Sequence, residues 1–237
     1  MVIDKNRIVI GLLLILILVF SYFLNFDFLL LTIISFFIIF ELFKCKFISN
    51  ISDYIIIISL IFIFFLNEKK YLTISILNIF FLLFVLINVF FPNFYLKKIF
   101  FISFFIFIYN FLTIITLDRD TFYFIFFIAF LNDTFAYIFG KFLKGPLIIP
   151  SISPNKTWSG TLISFILSSF VIYNFNISII LSCLLSISLF FGDIFYSYIK
   201  RKNNLKDFSN FLQGHGGILD RIDSMFFFII IINTSIL

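Results

Sequence analysis

Residues 177–202 read ISIILSCLLSISLFFGDIFYSYIKRK. The run from 177 to 199 contains one charged residue, Asp193, and the cationic triplet Lys200-Arg201-Lys202 follows it directly. About 20 consecutive apolar residues are enough for a helix to cross a bilayer. The stretch therefore predicts a transmembrane helix with an aspartate inside the membrane and three cations at its end. Because a charge within the bilayer is costly, we expect Asp193 to face the helix bundle and to be functional.

The same apolar character runs through the whole chain of 237 residues. Hydrophobic residues make up 62% of it and charged residues 12%, against roughly 45–50% and about 25% in a soluble domain. Disordered chains are polar and charged, so neither class fits. We predict an all-α polytopic integral membrane protein that forms a single membrane domain over 1–237. About nine transmembrane helices are expected, at 8–24, 26–43, 51–66, 72–91, 99–117, 121–143, 161–175, 177–199 and 219–237.

The positive charges predict the orientation of these spans. With nine spans, 14 of the 17 Lys and Arg residues fall on one side and 3 on the other. Since cytoplasmic loops carry an excess of Lys and Arg, we expect the N-terminus and the polar loops 141–160 and 200–223 in the cytoplasm of the cell (inner) membrane. We attribute the net charge of +5 to this asymmetry and expect no nucleic-acid partner. The first run is longer than a signal-peptide core of about 7–15 residues, so we expect an uncleaved span.

Residues that could carry chemistry are concentrated in the second half of the chain. Seven of the eight glycines lie between Gly140 and Gly217, and three of the four prolines between Pro146 and Pro154. We therefore expect 119–237 to be the catalytic half and 1–118 to be helices of weak motif content. The two cysteines have no metal-ligand spacing, and we interpret both as ordinary residues of apolar sites.

The densest polar cluster begins in the eighth span. If that helix continues to Arg201, then Asp193, Ser197, Lys200 and Arg201 share one face. Lys206-Asp207 and the segment GHGGILDRIDS, residues 214–224, follow. In that segment Asp220, Asp223 and Ser224 would form the first turn of the last span, where carboxylates suit the unpaired N–H groups of a helix N-terminus.

Carboxylates beside Lys and Arg are what a divalent metal ion with a polyphosphate requires. Mg²⁺ uses one or two carboxylates together with phosphate oxygens, and cations neutralise the remaining charge. Gly pairs allow backbone N–H groups to approach an anion, and His215, the only histidine, could donate to phosphate or carry a proton. The alternatives are a solvated loop of mutual ion pairs and a structural histidine.

A second cluster lies upstream. On a helix, one small, polar stripe would be formed by Ala129, Asp133, Ala136 or Tyr137, and Gly140. It indicates either close helix packing or, because of the aspartate, a functional face. Residues 153–157, SPNKT, read as a tight turn that could contact a nucleotide phosphate. Glu41, near the cytoplasmic end of the second span, is a further candidate.

The two clusters together resemble the phosphatidate cytidylyltransferase family, also called CDP-diacylglycerol synthase. Its signature S-x-[apolar]-K-R, four residues, K-D, then H-G-G-x-x-D-R-x-D matches the spacing from Ser197 to Asp223 throughout. The patterns D-x-x-A-Y-x-x-G-K and S-P-x-K-T-W-x-G match 133–141 and 153–160. The chain departs from the family at Gln213, where Pro is frequent, and at Tyr196, where bacterial members often have Glu.

The resemblance implies that CTP and phosphatidate give CDP-diacylglycerol and pyrophosphate, and it assigns roles to residues. A divalent cation, Mg²⁺, would be bound by Asp193, Asp220 and Asp223. The catalytic residues would be Asp193, Lys200, Arg201, Lys206, Asp207, His215, Asp220 and Arg221. Substrate would be bound by Asp133, Lys141, Ser153, Lys156, Thr157, Ser197, Gly216 and Gly217. The expected partners are CTP, phosphatidate and membrane lipid, with a possible homodimer.

Two other functions compete with this one. A related CTP-dependent membrane enzyme could act on another lipid phosphate or a polyprenol. An anion transporter could use the basic loops as a vestibule, but it should show inverted repeats and broken helices in both halves. Here Gly and Pro crowd into one half, which disfavours the transporter. An inactive remnant is disfavoured because every charged signature residue is retained.

Overall fold

The computed structural model of the protein describes residues 5–45, 78, 96–209, 211 and 216–236. Within these ranges the chain is predominantly helical. The helices are α1 Lys5–Leu24, α2 Asp27–Lys44, α3 Leu96–Leu117, α4 Arg119–Leu143, α5 Trp158–Tyr173, α6 Ile179–Lys202, α7 Leu219–Ile222 and α8 Met225–Ile236. Two short strands, β1 Leu147–Ile149 and β2 Ser153–Thr157, lie between α4 and α5.

Six of the predicted spans correspond to single helices, α1 to α6. Of the helices in the described part of the chain, α4 and α6 are long and apolar enough to cross a membrane. Helix α6 continues to Lys202, as predicted, so Asp193, Ser197 and Lys200 share one helix. The spans predicted at 51–66 and 72–91 lie outside the described residues, apart from Asn78.

The helical character predicted for the chain is confirmed, but the tight turn predicted at 153–157 was wrong. Those residues form strand β2, which pairs antiparallel with β1. The turn lies at 150–152, where the Ile152 N–H donates to the Ile149 carbonyl at 3.1 Å. Pro154 is compatible with this two-stranded sheet because a proline can occupy an edge position that needs no N–H donor. Strand β2 leads directly into α5, whose first turn is capped by Thr157 accepting from the Gly160 N–H.

The prediction of one continuous helix from Leu219 was also wrong. Helix α7 ends at Ile222, and a turn at Asp223 and Ser224 separates it from α8. The Asp223 carboxylate accepts a hydrogen bond from the Ser224 N–H at 2.8 Å. An aspartate that binds a neighbouring backbone N–H competes with the helical ladder, which explains the interruption.

The chain divides into two compact units. The first comprises Met1–Arg119, Asp207–Arg221 and Ile236–Leu237; the second comprises Asp120–Lys206 and Ile222–Ser235. In the first unit the Arg119 guanidinium pairs with the buried Asp27 carboxylate at 2.8 Å. Asn78 and Asn110, both fully buried, donate to each other through their side-chain amides. These contacts satisfy polar groups that apolar surroundings would otherwise penalise.

In the second unit, α5 and α6 pack together through hydroxyl and apolar side chains. The Ser186 hydroxyl donates to the Phe165 carbonyl at 3.0 Å. Tyr196, which is 1% exposed, packs its ring edge against Phe226 of α8. Tyr196 therefore fills the apolar core between α6 and α8, and this packing accounts for an aromatic residue at that position.

Gly192 allows the turn before α8 to approach helix α6. A Cβ added at Gly192 would lie 2.6 Å from the Ser224 carbonyl oxygen and 2.7 Å from that of Asp223. Backbone atoms form this contact, so no side-chain rotation could relieve it. By contrast, a Cβ added at Gly11 of α1 meets nothing within 4 Å.

Cys45 directly follows α2 and differs from an ordinary thiol. Its Sγ–H donates to the Phe208 carbonyl at 3.0 Å. Burial raises the pKa of the thiol to about 11, and the negative charges of Glu41 and Asp220 act in the same direction. Cys45 and Cys183 are both free.

Gly192→Ala should destabilise the second unit, by about 1–3 kcal/mol or more, because an inserted methyl group forces backbone shifts. Thermal unfolding in detergent, followed by fluorescence size-exclusion chromatography, measures this as a lower melting temperature. Gly11→Ala is the matched control and should leave the melting temperature unchanged or slightly raised, since Ala favours helix over Gly. Equal melting temperatures for the two variants would contradict the close approach.

Cys45 should react slowly with N-ethylmaleimide at pH 8 in a variant that lacks Cys183. The thiolate is the reactive form, so a pKa near 11 rather than 9.0 lowers the rate by about 100-fold. Raising the pH towards 11 should accelerate the reaction. The same variant unfolded in detergent serves as the control and should react at the ordinary rate; similar rates before and after unfolding would contradict the raised pKa.

Candidate functional site

Two sequence motifs meet in the second unit at an ion pair between Lys156 and Asp193. The Lys156 ammonium, on strand β2, contacts the Asp193 Oδ2 on α6. The Ser197 hydroxyl donates to Asp193 Oδ1 at 3.2 Å. The side chains of Lys156 and Asp193 remain 24% and 25% exposed. The pair is therefore reachable by a polar ligand, while α6 and the hairpin fix its position.

Helical spacing brings Asp193 and Ser197 together on α6, and the hairpin of β1 and β2 positions Lys156. Asp193 and Ser197 are four residues apart, and side chains at that spacing are neighbours on a helix surface. Lys156 is positioned by β2, which is held by its pairing with β1 and by the Trp158 N–H donating to the Pro146 carbonyl at 2.9 Å. The sequence predicts that Asp193 and Ser197 share a helix face, but it does not predict that Lys156 contacts Asp193.

A second ion pair in the same unit joins Lys200 to Asp223. Lys200 Nζ lies 3.4 Å from Asp223 Oδ2, and each side chain is 9% exposed. A buried pair of this kind has a large desolvation cost, and removing one partner leaves an uncompensated charge. Lys200 of α6 is thus held by the carboxylate of Asp223, which lies in the turn between α7 and α8.

Arg201 binds backbone carbonyl groups. Its Nε donates to the Ile152 carbonyl at 3.1 Å and a terminal nitrogen donates to the Leu205 carbonyl at 3.0 Å. The guanidinium therefore connects the end of α6 to the turn of the hairpin that carries Lys156. This contact gives Arg201 a positioning role beside its predicted role as a phosphate ligand, which stays a prediction.

In the first unit, the Asp220 carboxylate accepts hydrogen bonds from two backbone N–H groups that precede it in the chain. Its Oδ2 accepts from the Gly217 N–H at 2.8 Å and from the Phe208 N–H at 3.0 Å. Gly216 adopts φ of +78°, in the left-handed region that favours glycine. The N–H of Gly217, predicted to bind substrate, thus already donates to a carboxylate of the chain.

Glu41 makes more contacts in the structure than its place in the sequence indicates. It is fully buried on α2, and it accepts from the Ser209 hydroxyl at 2.6 Å, the Ile218 N–H at 2.9 Å and the Leu219 N–H at 2.9 Å. The one signal in the sequence was a glutamate near the end of an apolar run. Nothing in its spacing relates it to residues more than 160 positions away.

The remaining predicted site residues lie in different settings. Asp133 and Lys141 are exposed on α4, where the Lys141 ammonium lies 5.6 Å from the centre of the Tyr137 ring. Ser153 is half-buried on β2 and Thr157 caps α5. Exposed positions are occupied by Lys206, Asp207 and Arg221. His215 and Gln213 lie outside the described residues.

The donor set of the second unit suits a hard divalent cation. Within the described ranges no three Asp, Glu, His or Cys side chains gather into a metal site by themselves. Mg²⁺ needs only one or two carboxylates, because substrate phosphates and waters complete its octahedron. Asp193 and Asp223 supply carboxylate oxygens, and the buried Ser224 hydroxyl has no hydrogen-bond partner among the described residues. These oxygen donors have the chemistry that the ion prefers, and each carboxylate is also paired with a lysine.

Several known proteins that are similar to this chain share one name, phosphatidate cytidylyltransferase. The chain is 47% identical to the phosphatidate cytidylyltransferase of Rickettsia bellii, with 39% of this chain and 47% of the relative aligned. It is 43% identical to that of Rickettsia conorii, with 44% and 50% aligned, and 39% identical to that of Staphylococcus aureus, with 47% of each aligned. These matches span about half the length of each relative.

A family model described as the cytidylyltransferase family matches residues 5–237, which is nearly the whole sequence. The match includes α2 with Glu41, the hairpin with Lys156, and the segment from Asp193 to Asp223. The chain therefore belongs to the cytidylyltransferase family.

Proposed function

We propose that the protein transfers CMP from CTP to phosphatidate, giving CDP-diacylglycerol and pyrophosphate. The relatives named phosphatidate cytidylyltransferase support this substrate pair. The observation that carries the proposal is the contact between Lys156 and Asp193. It joins the S-P-x-K-T-W pattern to the polar cluster that begins in the eighth span with Asp193. A cation and a carboxylate at one accessible position are what binding of a polyphosphate and its counter-ion requires.

In the proposed reaction a phosphate oxygen of phosphatidate attacks the α-phosphorus of CTP in line. The new P–O bond forms as the bond from the α-phosphorus to the oxygen bridging to the β-phosphorus breaks, and pyrophosphate leaves with that oxygen. The nucleophile is already anionic, so little proton transfer is needed. Catalysis then consists mainly of positioning the two phosphates and stabilising the charge that develops.

The chain's cations would neutralise the phosphates. Lys156 and Lys200 are held close to carboxylates before substrate arrives, which fixes their positions with little cost in side-chain freedom on binding. Lys206, which is exposed at the end of the second unit's first segment, would reach the triphosphate with its long, flexible side chain. Ser197 orients Asp193 through its hydroxyl.

We further propose that Mg²⁺ is held by Asp193 and Asp223, which both belong to the second unit. The role of Asp220 as a metal ligand stays a prediction from the sequence. When bound, the ion would neutralise charge on the α-phosphate and on the leaving pyrophosphate. Asp193 is the better placed to receive it, since its carboxylate is 25% exposed whereas that of Asp223 is 9% exposed.

The proposal includes the membrane arrangement. The excess of Lys and Arg on one side supports nine spans with the N-terminus and the active site facing the cytoplasm. Phosphatidate would then enter sideways from the inner membrane while CTP arrives from the cytosol. The resemblance to the family supports a homodimer as the working oligomeric state.

The activity is tested with membranes that carry the protein, labelled CTP, phosphatidate and Mg²⁺. We expect label in a lipid-soluble cytidine product. Asp193→Asn should lower the turnover number by about 100-fold or more, the effect expected when a group that stabilises transition-state charge is lost. Asp120→Asn is the matched control, because Asp120 is an exposed carboxylate of the same unit outside the proposed site.

Two results would count against this proposal. Absence of lipid-soluble label in the wild-type reaction would overturn the function. Ordinary turnover in Asp193→Asn at equal protein level would leave the function standing but remove Asp193 from the reaction. Polyprenyl phosphate tested in place of phosphatidate distinguishes the competing lipid substrate.

The orientation is tested in a variant that lacks Cys45 and Cys183. Asn203→Cys, at the end of α6, should react with a membrane-impermeant thiol reagent only from the cytoplasmic side. Ser235→Cys, in the last turns of α8, should react only from outside. This second position is informative because α8 has 12 residues and spans about 18 Å, less than a hydrocarbon core of about 30 Å. Labelling of both positions from one side would refute the ninth crossing.

A further inference from the structure

Glu41 presents an unusual combination of charge and burial. Its side chain has no exposed surface, and it lies near the C-terminal end of α2, a helix of 18 residues that is otherwise mostly apolar. Three donors converge on the carboxylate: the Ser209 hydroxyl and the backbone N–H groups of Ile218 and Leu219. A carboxylate kept out of water is retained only where such donors compensate for its lost hydration.

The two backbone donors belong to a run of consecutive N–H groups at the start of α7. Gly217 donates to Asp220, and the next two residues donate to Glu41. The first N–H groups of a helix have no partner within the helix, and successive N–H groups form a concave site for an anion. Here Glu41 supplies that anion from a distant helix, while Asp220 supplies the neighbouring one.

Gly217 leaves the space that the Glu41 carboxylate occupies. A Cβ added at Gly217 would contact both carboxylate oxygens of Glu41 more closely than real Cβ atoms approach any atom. The glycine that the sequence places in the phosphate-binding motif is therefore also the residue that makes room for Glu41. Hydrogen bonds from backbone N–H groups to a carboxylate are strong, so Glu41 restricts the backbone at Ile218 and Leu219.

We infer that Glu41 is a positioning residue for the transfer reaction: it fixes the entry to α7 and thereby holds Asp220 and Arg221 in place. This inference rests on the proposed function for its catalytic consequence, though not for its structural part. Glu41 acts through the Ser209 hydroxyl and the backbone of Ile218 and Leu219, which donate to it, rather than by contact with substrate.

The test is Glu41→Gln, which keeps the volume of the side chain but replaces one acceptor oxygen with an NH₂ donor. Hydrogen–deuterium exchange in detergent should show the amides of Ile218 and Leu219 exchanging about tenfold faster or more, because their hydrogen bonds to a charged acceptor are lost. Peptides from α4 to α6 should keep their exchange rates. The turnover number should fall by about tenfold or more at equal folded protein.

Asp27→Asn is the matched control. Asp27 is another buried carboxylate on the same helix, paired with Arg119 at its other end. This change should leave exchange at Ile218 and Leu219 and the turnover number within about twofold of wild type, even if it lowers the melting temperature. An equal acceleration at these two amides in Asp27→Asn would show a general loosening of the unit and would overturn the inference.

Further variants and readouts separate this inference from the function. Gly217→Ala should reproduce the accelerated exchange, since it displaces Glu41, and Ser209→Ala should give a smaller acceleration because it removes one donor of three. These two variants decide the matter if Glu41→Gln does not accumulate. Unchanged exchange in them, or accelerated exchange with normal turnover, overturns the positioning role. Absence of cytidylyltransfer in the wild type instead defeats the proposed function, and the exchange results still stand or fall independently.

Discussion

A carboxylate removed from water must be neutralised or hydrogen-bonded, and this constraint shapes the described part of the chain. Asp27 is paired with Arg119, and Glu41 binds two backbone N–H groups and a hydroxyl. Asp193 meets Lys156, and Asp223 meets Lys200. Each partner comes from a different segment of the chain. In a protein with 62% hydrophobic residues, these contacts specify which segments approach one another, because apolar packing alone tolerates many arrangements.

The same constraint explains where regular structure stops. Asp223 binds the Ser224 N–H and interrupts what would otherwise be one helix from Leu219. Asp220 binds the N–H groups of Phe208 and Gly217 and shapes the segment before α7. The acidic residues of the signature therefore have structural tasks in addition to any chemistry. Each carboxylate is held in a fixed position by hydrogen bonds within the chain.

Hydropathy was sufficient for helices α1 to α6, because apolar runs of about 20 residues between charged residues leave few alternatives. The shared face of Asp193, Ser197 and Lys200 also followed from the sequence, since it depends only on helical periodicity. The hairpin did not, because SPNKT has the composition of a turn, and its pairing with 147–149 depends on a partner strand. The role of Glu41 could not be predicted, because its ligands lie more than 160 residues away and two of them are backbone groups.

The uneven distribution of glycine now has a physical explanation at several positions. A side chain at Gly192 would strike the carbonyl oxygens of the turn before α8, and one at Gly160 would strike the Ala136 carbonyl at 2.5 Å. Gly217 makes room for the Glu41 carboxylate, whereas Gly11, outside the glycine-rich half, meets nothing. Close backbone approach is therefore required where the charged groups are assembled. It follows that a motif glycine in this chain cannot be assigned to phosphate binding from its place in the signature alone. At Gly217 the space and the N–H are both already used by carboxylates of the protein itself.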